Sequence, residues 1–396
     1  MRFARHRKIN ARPLLLCAVL LAFPAYVHAE DKGLIENLTG FKINETPFMQ
    51  SLGIKFGGWI DNGFAGNPHS PKNHSNLPVT FNDGANFYKL NQVYGFIEKE
   101  VNVGGKEWDV GFRADLLYGT DAKFTVASNF DRTILGDDPK HQLAFPQLYA
   151  SVYAPYGNGV TATLGHFYTI IGYETVTSPN NFFYSHAYTM QYGEPFTHTG
   201  ALLSYPVNDN IVIQGGVVTG WDAFFRQPAN FLGGISYTTD DERTALSATL
   251  ISGSVETGGL NNDHNRTLYS IVLEHDITDR LHYVLQHDHG IEEKTSTSHS
   301  ASWYGINQYL IYDIASNLGA GLRFEWFHDK DGARVLADGR KEHFIAITGG
   351  LNYKPIAGIT IRPEVRYDLA TENNTVYRDG KHGDQVLLSI SGILHF

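Results

Sequence analysis

Two kinds of connection alternate along this chain, and the alternation limits its fold more than any other feature. Amphipathic segments run 51–63, 86–101, 105–119, 142–154, 159–173, 196–206, 210–222 and 230–239 in the first half. They continue as 243–255, 266–277, 280–292, 301–312, 317–328, 341–353, 358–370 and 384–396. Every second connection is short and has a tight-turn composition, as in Asn102-Val103-Gly104-Gly105, Pro155-Tyr156-Gly157-Asn158, Val207-Asn208-Asp209 and Asp240-Asp241-Glu242. Thr278-Asp279, Ile314-Ala315-Ser316 and Lys354-Pro355-Ile356-Ala357 are of the same kind. The remaining connections (64–85, 120–141, 174–195, 223–229, 256–265, 293–300, 329–340 and 371–383) are longer and polar. A closed transmembrane barrel produces this pattern, with turns on one side of the membrane and loops on the other. A soluble sandwich has no reason to keep it through eight hairpins.

The segments themselves have the period of strands. In 358–370, Ile359, Ile361, Val365, Tyr367 and Leu369 face one way, and Thr360, Arg362, Glu364, Arg366 and Asp368 the other. In 107–119, Trp108, Val110, Phe112, Leu116 and Tyr118 oppose Asp109, Arg113 and Asp115. In 317–328, Leu318, Leu322, Phe324 and Trp326 oppose Arg323 and Glu325. The last segment alternates Val386, Leu388, Ile390, Leu394 and Phe396 with Leu387, Ser389, Ser391 and His395. A terminal aromatic closing such a strand has the shape of an outer-membrane insertion signal. That strand must pair with the first, because an open edge in lipid leaves backbone groups unsatisfied. The expected fold is therefore all-β: a closed antiparallel barrel of sixteen strands, with fourteen or eighteen as alternatives. Both termini then lie on the periplasmic side with the short turns. Pro146 and Pro363 sit within segments and each removes a ladder donor, which makes both candidate bulges; the strand holding Pro146 could instead begin at Gln147.

Residues 1–29 read as an export signal. Arg2, Arg5, Arg7, Lys8 and Arg12 precede the apolar run Leu14–Phe23, and Val27-His28-Ala29 offers a cleavage site. That run is too short for a membrane helix, which needs about 20 residues. Cys17, the one cysteine, lies inside it, so the exported chain carries none. Cleavage after Ala29 leaves 26 basic against 41 acidic side chains, a balance of −15, which excludes a nucleic-acid footprint. The many aromatics (22 Tyr, 24 Phe) with no long apolar helix suit a barrel; composition alone would also allow a large soluble all-β protein. Residues 30–50 lack a strand period and read as a periplasmic lead-in with one helical turn, which leaves 51–396 for the barrel.

The run Leu52-Gly53-Ile54-Lys55-Phe56-Gly57-Gly58-Trp59-Ile60-Asp61 is followed by Leu90-Asn91-Gln92-Val93-Tyr94 and Gly111-Phe112-Arg113-Ala114-Asp115-Leu116-Leu117-Tyr118-Gly119. Leu164-Gly165-His166-Phe167, Gly172-Tyr173-Glu174, Pro179-Asn180-Asn181 and His198-Thr199-Gly200 come next. In this order the motifs resemble the β-barrel porin-2 (OmpL-like) group of bacterial outer-membrane proteins, densest over 51–222. The resemblance implies an outer-membrane channel of Gram-negative type. It brings no catalytic residue and no substrate.

A barrel of about 16–18 strands encloses water, so solutes would cross by diffusion, with selectivity set by radius and charge. The connection 174–195 is the expected constriction, carrying Glu174, Tyr184, His186, Tyr188, Tyr192 and Glu194; its alternative role is a cap over the mouth. Expected lumen residues are Arg113, Asp115, Arg323, Glu325, Arg362, Glu364, Arg366 and Asp368. Most are read as paired charges that solvate the wall. Arg323, Arg362 and Arg366 are expected to face water and the carboxylates of the inward loop, setting a transverse field. No metal or other cofactor is expected: His287 and His289 share a face opposite Asp288, so these three cannot chelate together. Nor is an enzyme expected, since Ser247 or Ser270 pairs with His275 only if strand facing is ignored. The tyrosines of 174–195 could form a sugar track, but interfacial anchoring is the commoner use. Expected partners are outer-membrane lipid and lipopolysaccharide, the barrel-assembly machinery through Phe396, and small solutes; a homo-oligomer is compatible with this reading. The rival from another class is an adhesin or structural barrel whose surface loops do the work, and conductance separates the two.

Overall fold

A computed structural model describes residues 33–136, 140–226, 228–255, 264–293, 295, 298 and 300–396. Residues 1–29, read above as an export signal holding Cys17 and ending at a cleavage site after Ala29, lie outside the described residues. Two short helices, α1 (Leu34–Thr39) and α2 (Pro47–Leu52), precede the first strand. Pro47 opens α2, where its missing N–H costs nothing, and Gly53 ends it in the left-handed conformation. Asn44 ties this lead-in to the barrel by exchanging hydrogen bonds with both the N–H and the C=O of Phe56.

The strands are β1 (Lys55–Gly66), β2 (Tyr88–Lys99), β3 (Asp109–Gly119), β4 (Gln142–Ala144), β5 (Leu148–Ala154), β6 (Val160–Tyr168) and β7 (Thr197–Pro206). Then come β8 (Ile211–Val218), β9 (Asn230–Thr238), β10 (Thr244–Val255), β11 (His264–Thr278) and β12 (Leu281–Glu292). The last are β13 (Ala301–Ala315), β14 (Leu318–Asp329), β15 (Glu342–Tyr353), β16 (Ile359–Ala370) and β17 (Asp384–His395). Each pairs antiparallel with its sequence neighbours, except that β4 and β5 do not pair with each other, and β1 pairs with β17 from Trp59–His395 to Gly66–Leu388. The sheet is a closed barrel. β4 and β5 both run along β3 as one stave, which makes sixteen.

The two prolines behave differently. Between the pairs Leu117–Ala144 and Ala114–Leu148, β3 advances three residues and its partner four. That extra residue is a bulge at Pro146, as one expectation had it, while the stave starts earlier than Gln147. Around Pro363 the register to β15 is unchanged from Gly350–Glu364 to Tyr353–Ile361, with only the ladder between them interrupted. Pro363 therefore removes a bond without making a bulge.

Facing follows the strand period. Leu388 and Ile390 are exposed on the outer wall, while Leu387, Ser389 and Ser391 are buried inside. Val365 and Tyr367 point out, and Arg362, Glu364, Arg366 and Asp368 point in. Lipid outside requires apolar side chains, whereas the interior can satisfy polar ones with each other.

Candidate functional site

The connection from β6 to β7 enters the barrel. Counted round the sixteen staves, the β6–β7 hairpin stands opposite β14 and β15, and the loop reaches that far wall. Its backbone supplies most of the contacts. Arg362 on β16 donates to the carbonyls of Ser178 (2.8 Å) and Asn181 (3.0 Å). Arg366 donates to the carbonyl of His186 at 2.7 Å, and Arg323 on β14 to that of Ser185 at 2.6 Å. Glu364 accepts the N–H groups of Tyr184 and Ser185 at 2.9 and 3.1 Å, and Glu325 that of Tyr188 at 2.6 Å. The loop is irregular, with a 3-10 turn at Ser178–Asn180 and a π-helical turn at Thr189–Gly193, so its amides need outside partners. The charged wall supplies them.

Side chains of the loop complete the seam. Glu174 accepts from Arg323 at 2.7 Å, Tyr309 at 2.9 Å and the N–H of Ala187 at 2.8 Å, with His186 Nδ1 at 3.2 Å. Burial alone would raise the pKa of Glu174; the Arg323 charge and these hydrogen bonds instead hold it down at about 2. Tyr184 bonds Asn91 at 2.9 Å, and Tyr188 donates to Asp368 at 3.1 Å. Tyr192 donates to the carbonyl of Pro78, from the β1–β2 connection that lies over the loop. Glu194 lies elsewhere, against Gln286 and Asp288 of β12 rather than any arginine. Burial and the Asp288 charge push its carboxyl well above the ordinary range.

The sequence-expected residues therefore divide. Arg323, Glu325, Arg362, Glu364, Arg366 and Asp368 converge with Glu174, Tyr184, His186 and Tyr188 on one seam. Arg362 and Arg366 are 2% and 0% exposed, so they do not face open water as expected; they grip the loop. Arg113 and Asp115 stand away from it, paired at 2.8 Å, with Arg113 also held by Glu98 at 2.8 Å. Arg113 and Glu98 line a cavity of about 250 Å3 toward the short-turn end, with Tyr149, Ser151 and Gln214. A second cavity, of about 260 Å3, lies at the same end between Phe182, Asp313 and Asn352. Sequence reasoning missed Asp61, Gln92, Gln286, Asn307 and Tyr377. Asp61 meets Ser178 and Arg362, and Gln92 donates to the carbonyl of Val176 at 2.7 Å. Inward parity was the signal available for Asp61, Gln286 and Asn307, and it does not say what a side chain meets; Gln92 lies in a poorly alternating segment, and Tyr377 lies in the β16–β17 connection, where parity does not apply.

Other candidate chemistries do not assemble. His287 and His289 pack on the aromatic ring of Tyr269, opposite buried Asp288. Among the described residues no group of three or more His, Cys, Asp or Glu is placed to hold a metal ion. Ser270 donates to Asp288 at 2.6 Å, and His275 bonds Thr244 at 2.9 Å, so neither forms a Ser–His pair with the other.

Comparison with known proteins bears on the same architecture. The chain superposes on an anion-selective porin from Comamonas acidovorans with a TM-score of 0.61 and 11% identity, covering 87% of this chain and 99% of that one. The outer-membrane channel DcaP of Acinetobacter baumannii gives 0.56 and 12%, covering 87% and 97%. Salmonella typhi OmpF gives 0.57 and 13%, again covering 87% and 97%. Identities this low carry the fold alone. A sequence comparison with curated proteins gives no match. The family model described as "Putative beta-barrel porin-2, OmpL-like" matches residues 53–396, nearly the whole described chain, and the protein therefore belongs to that porin family.

Proposed function

We propose that this porin lets small polar or charged solutes diffuse passively across the bacterial outer membrane, with loop 174–195 as its constriction. The observation that carries the reading is the loop's path: it spans the lumen and is gripped on the far wall by Arg323, Arg362 and Arg366. A surface platform needs no such crossing strap. Solutes pass beside the strap, and the two short-turn cavities form the periplasmic vestibule. Arg113 and Asp115 solvate that vestibule, whereas the arginines of the seam act on solutes mainly by fixing the loop. Short turns lie in the periplasm and long loops outside.

The same reading places residues 1–29 as a signal cleaved after Ala29, residues 30–50 as a periplasmic lead-in and 51–396 as the barrel. Lipid and lipopolysaccharide surround the outer wall, and the assembly machinery engages the Phe396 strand. The test is single-channel recording of the refolded protein in planar bilayers, with reversal potential across a salt gradient. Stepwise conductance is expected. A heat-modifiable, correctly folded barrel that passes no current would favour the platform reading.

A further inference from the structure

At the long-loop end, directly above the crossing loop, two arginines meet two tryptophans. The guanidinium of Arg266, at the top of β11, lies 4.7 Å from the ring centre of Trp221. That of Arg334, from the β14–β15 connection, lies 5.3 Å from the same ring and 4.7 Å from the ring of Trp303. Glu292, Asp329 and Asp222 stand close enough to offset these two charges. Each of the three is also held by protein donors. Asp329 accepts the backbone N–H groups of Ala333, Arg334 and Val335, each at 2.9 Å, and so presents Arg334. Asp222 accepts those of Phe196 and Thr197 at 3.0 and 2.8 Å, and Glu292 holds Arg266 Nε at 2.8 Å.

Two sets of donors are left over. Arg334 gives Nε to the carbonyl of Tyr192 at 2.7 Å, while its two Nη groups have no hydrogen-bond partner among the described residues. The indole N–H of Trp221 is buried and has no partner either. A buried donor of this kind is costly unless a ligand takes it. Val335 and Leu336 pack against the same aromatic cluster and give the place an apolar side.

We propose that Arg334, Arg266 and the Trp221 indole form a capture site for a carboxylate-bearing organic anion at the outer mouth of the pore. The carboxylate takes the planar Nη edge of Arg334 and the Trp221 N–H, and the apolar body of the solute lies along the tryptophans and Val335. Phosphate or chloride would use the charge but leave the apolar wall unoccupied. Because Arg334 also holds Tyr192, a captured anion sits directly above the crossing loop. This inference deepens the porin reading and rests on it for the direction of transit, though not for binding.

The probe is sodium benzoate, with benzyl alcohol as the uncharged control. Calorimetric titration of the detergent-solubilised barrel should give saturable benzoate binding and none for the alcohol. Arg334→Gln should weaken it at least tenfold, Trp221→Phe severalfold, and Arg334→Lys should recover only part. In bilayers, benzoate added on the loop side should reduce the KCl current of wild type, with the half-blocking concentration shifted likewise in Arg334→Gln. Equal benzoate affinity in wild type and in folded Arg334→Gln would overturn the site, as would equal binding of the alcohol. Absence of KCl current with benzoate binding intact would instead overturn the porin reading and leave the site standing.

Discussion

The carboxylate of Glu194 rests against Gly172: a Cβ built on that glycine would lie 2.1 Å from Oε2. One residue opens the crossing loop and the other ends it, so the two roots of the loop touch. Gly172 also has φ +86°, a conformation that side chains rarely adopt. Gly172→Ala should therefore strain the backbone by about 1–3 kcal/mol and push Glu194 off Gln286. The barrel should still fold and remain heat-modifiable, while open-channel current noise rises. Wild-type noise in a correctly folded variant would mean the roots need no such contact.

Arg323 and Glu174 form a buried ion pair between wall and loop at 2.7 Å. Arg323→Gln leaves a buried carboxylate without its partner, a change worth about 3–5 kcal/mol. Glu174→Gln alone strands the guanidinium instead. The double variant should be less destabilised than the sum of the two, which a thermal double-mutant cycle would read. Strict additivity would deny the pair any direct role.

Acid and base should loosen opposite ends of the loop. Glu174 is held at about 2 against an ordinary 4.5, so its stabilisation is complete above about pH 4.5 and is lost as pH falls toward 2. Glu194 is raised, so the term it contributes is present below the ordinary 4.5 and lost as pH rises through its elevated value. Current noise in symmetric salt should increase below pH 4.5 in wild type, and Glu174→Gln should abolish that acid limb. An acid limb that survives in Glu174→Gln would assign it to another group.

Arg362 and Arg366 donate four hydrogen bonds to loop carbonyls, those of Ser178, Asn181, Phe183 and His186, and also ion-pair Asp61 of β1 at 3.3 Å and Glu325 of β14 at 3.1 Å. Replacing both with Gln should release the far side of the strap. Conductance should rise, and cation preference should increase at 0.1 M salt more than at 1 M, where the Debye length is about 3 Å. A reversal-potential shift with unchanged conductance would return the arginines to a purely electrostatic role.

Phe396 adds the last backbone bonds to the β1–β17 seam. Phe396 exchanges backbone hydrogen bonds with Gly58 at 3.0 and 3.3 Å, and a Cβ on Gly58 would meet the Phe396 ring at 2.7 Å. Deleting Phe396, or introducing Gly58→Val, should sharply lower the yield of heat-modifiable barrel in outer membranes. The rest of the β1–β17 seam, from Trp59–His395 to Gly66–Leu388, keeps its pairs, so the loss expected is one of assembly rather than of the whole edge. Normal assembly of either variant would show that the seam closes without this contact.

The alternation of short and long connections and the two-residue period of segments such as 358–370 led, from sequence alone, to a closed barrel, with sixteen staves as the first expectation beside fourteen or eighteen, and to the facing of its well-alternating strands, though not of 86–101. Both are local: turn chemistry and side-chain parity act over a few residues, and lipid outside enforces them along every strand. Parity placed Arg362 inside, but not what it meets. That depended on a loop rooted between β6 and β7 arriving at β16, which is remote in sequence and close only after the ring has closed. The same reason hid Asp61 and Gln92, whose partners lie in the loop, and the arginines and tryptophans gathered at the mouth. Even Pro146 and Pro363, alike in sequence, differ because the stave of Pro146 carries an extra residue against β3 whereas that of Pro363 keeps its register to β15. Local pattern built the wall; long-range closure decided what fills it.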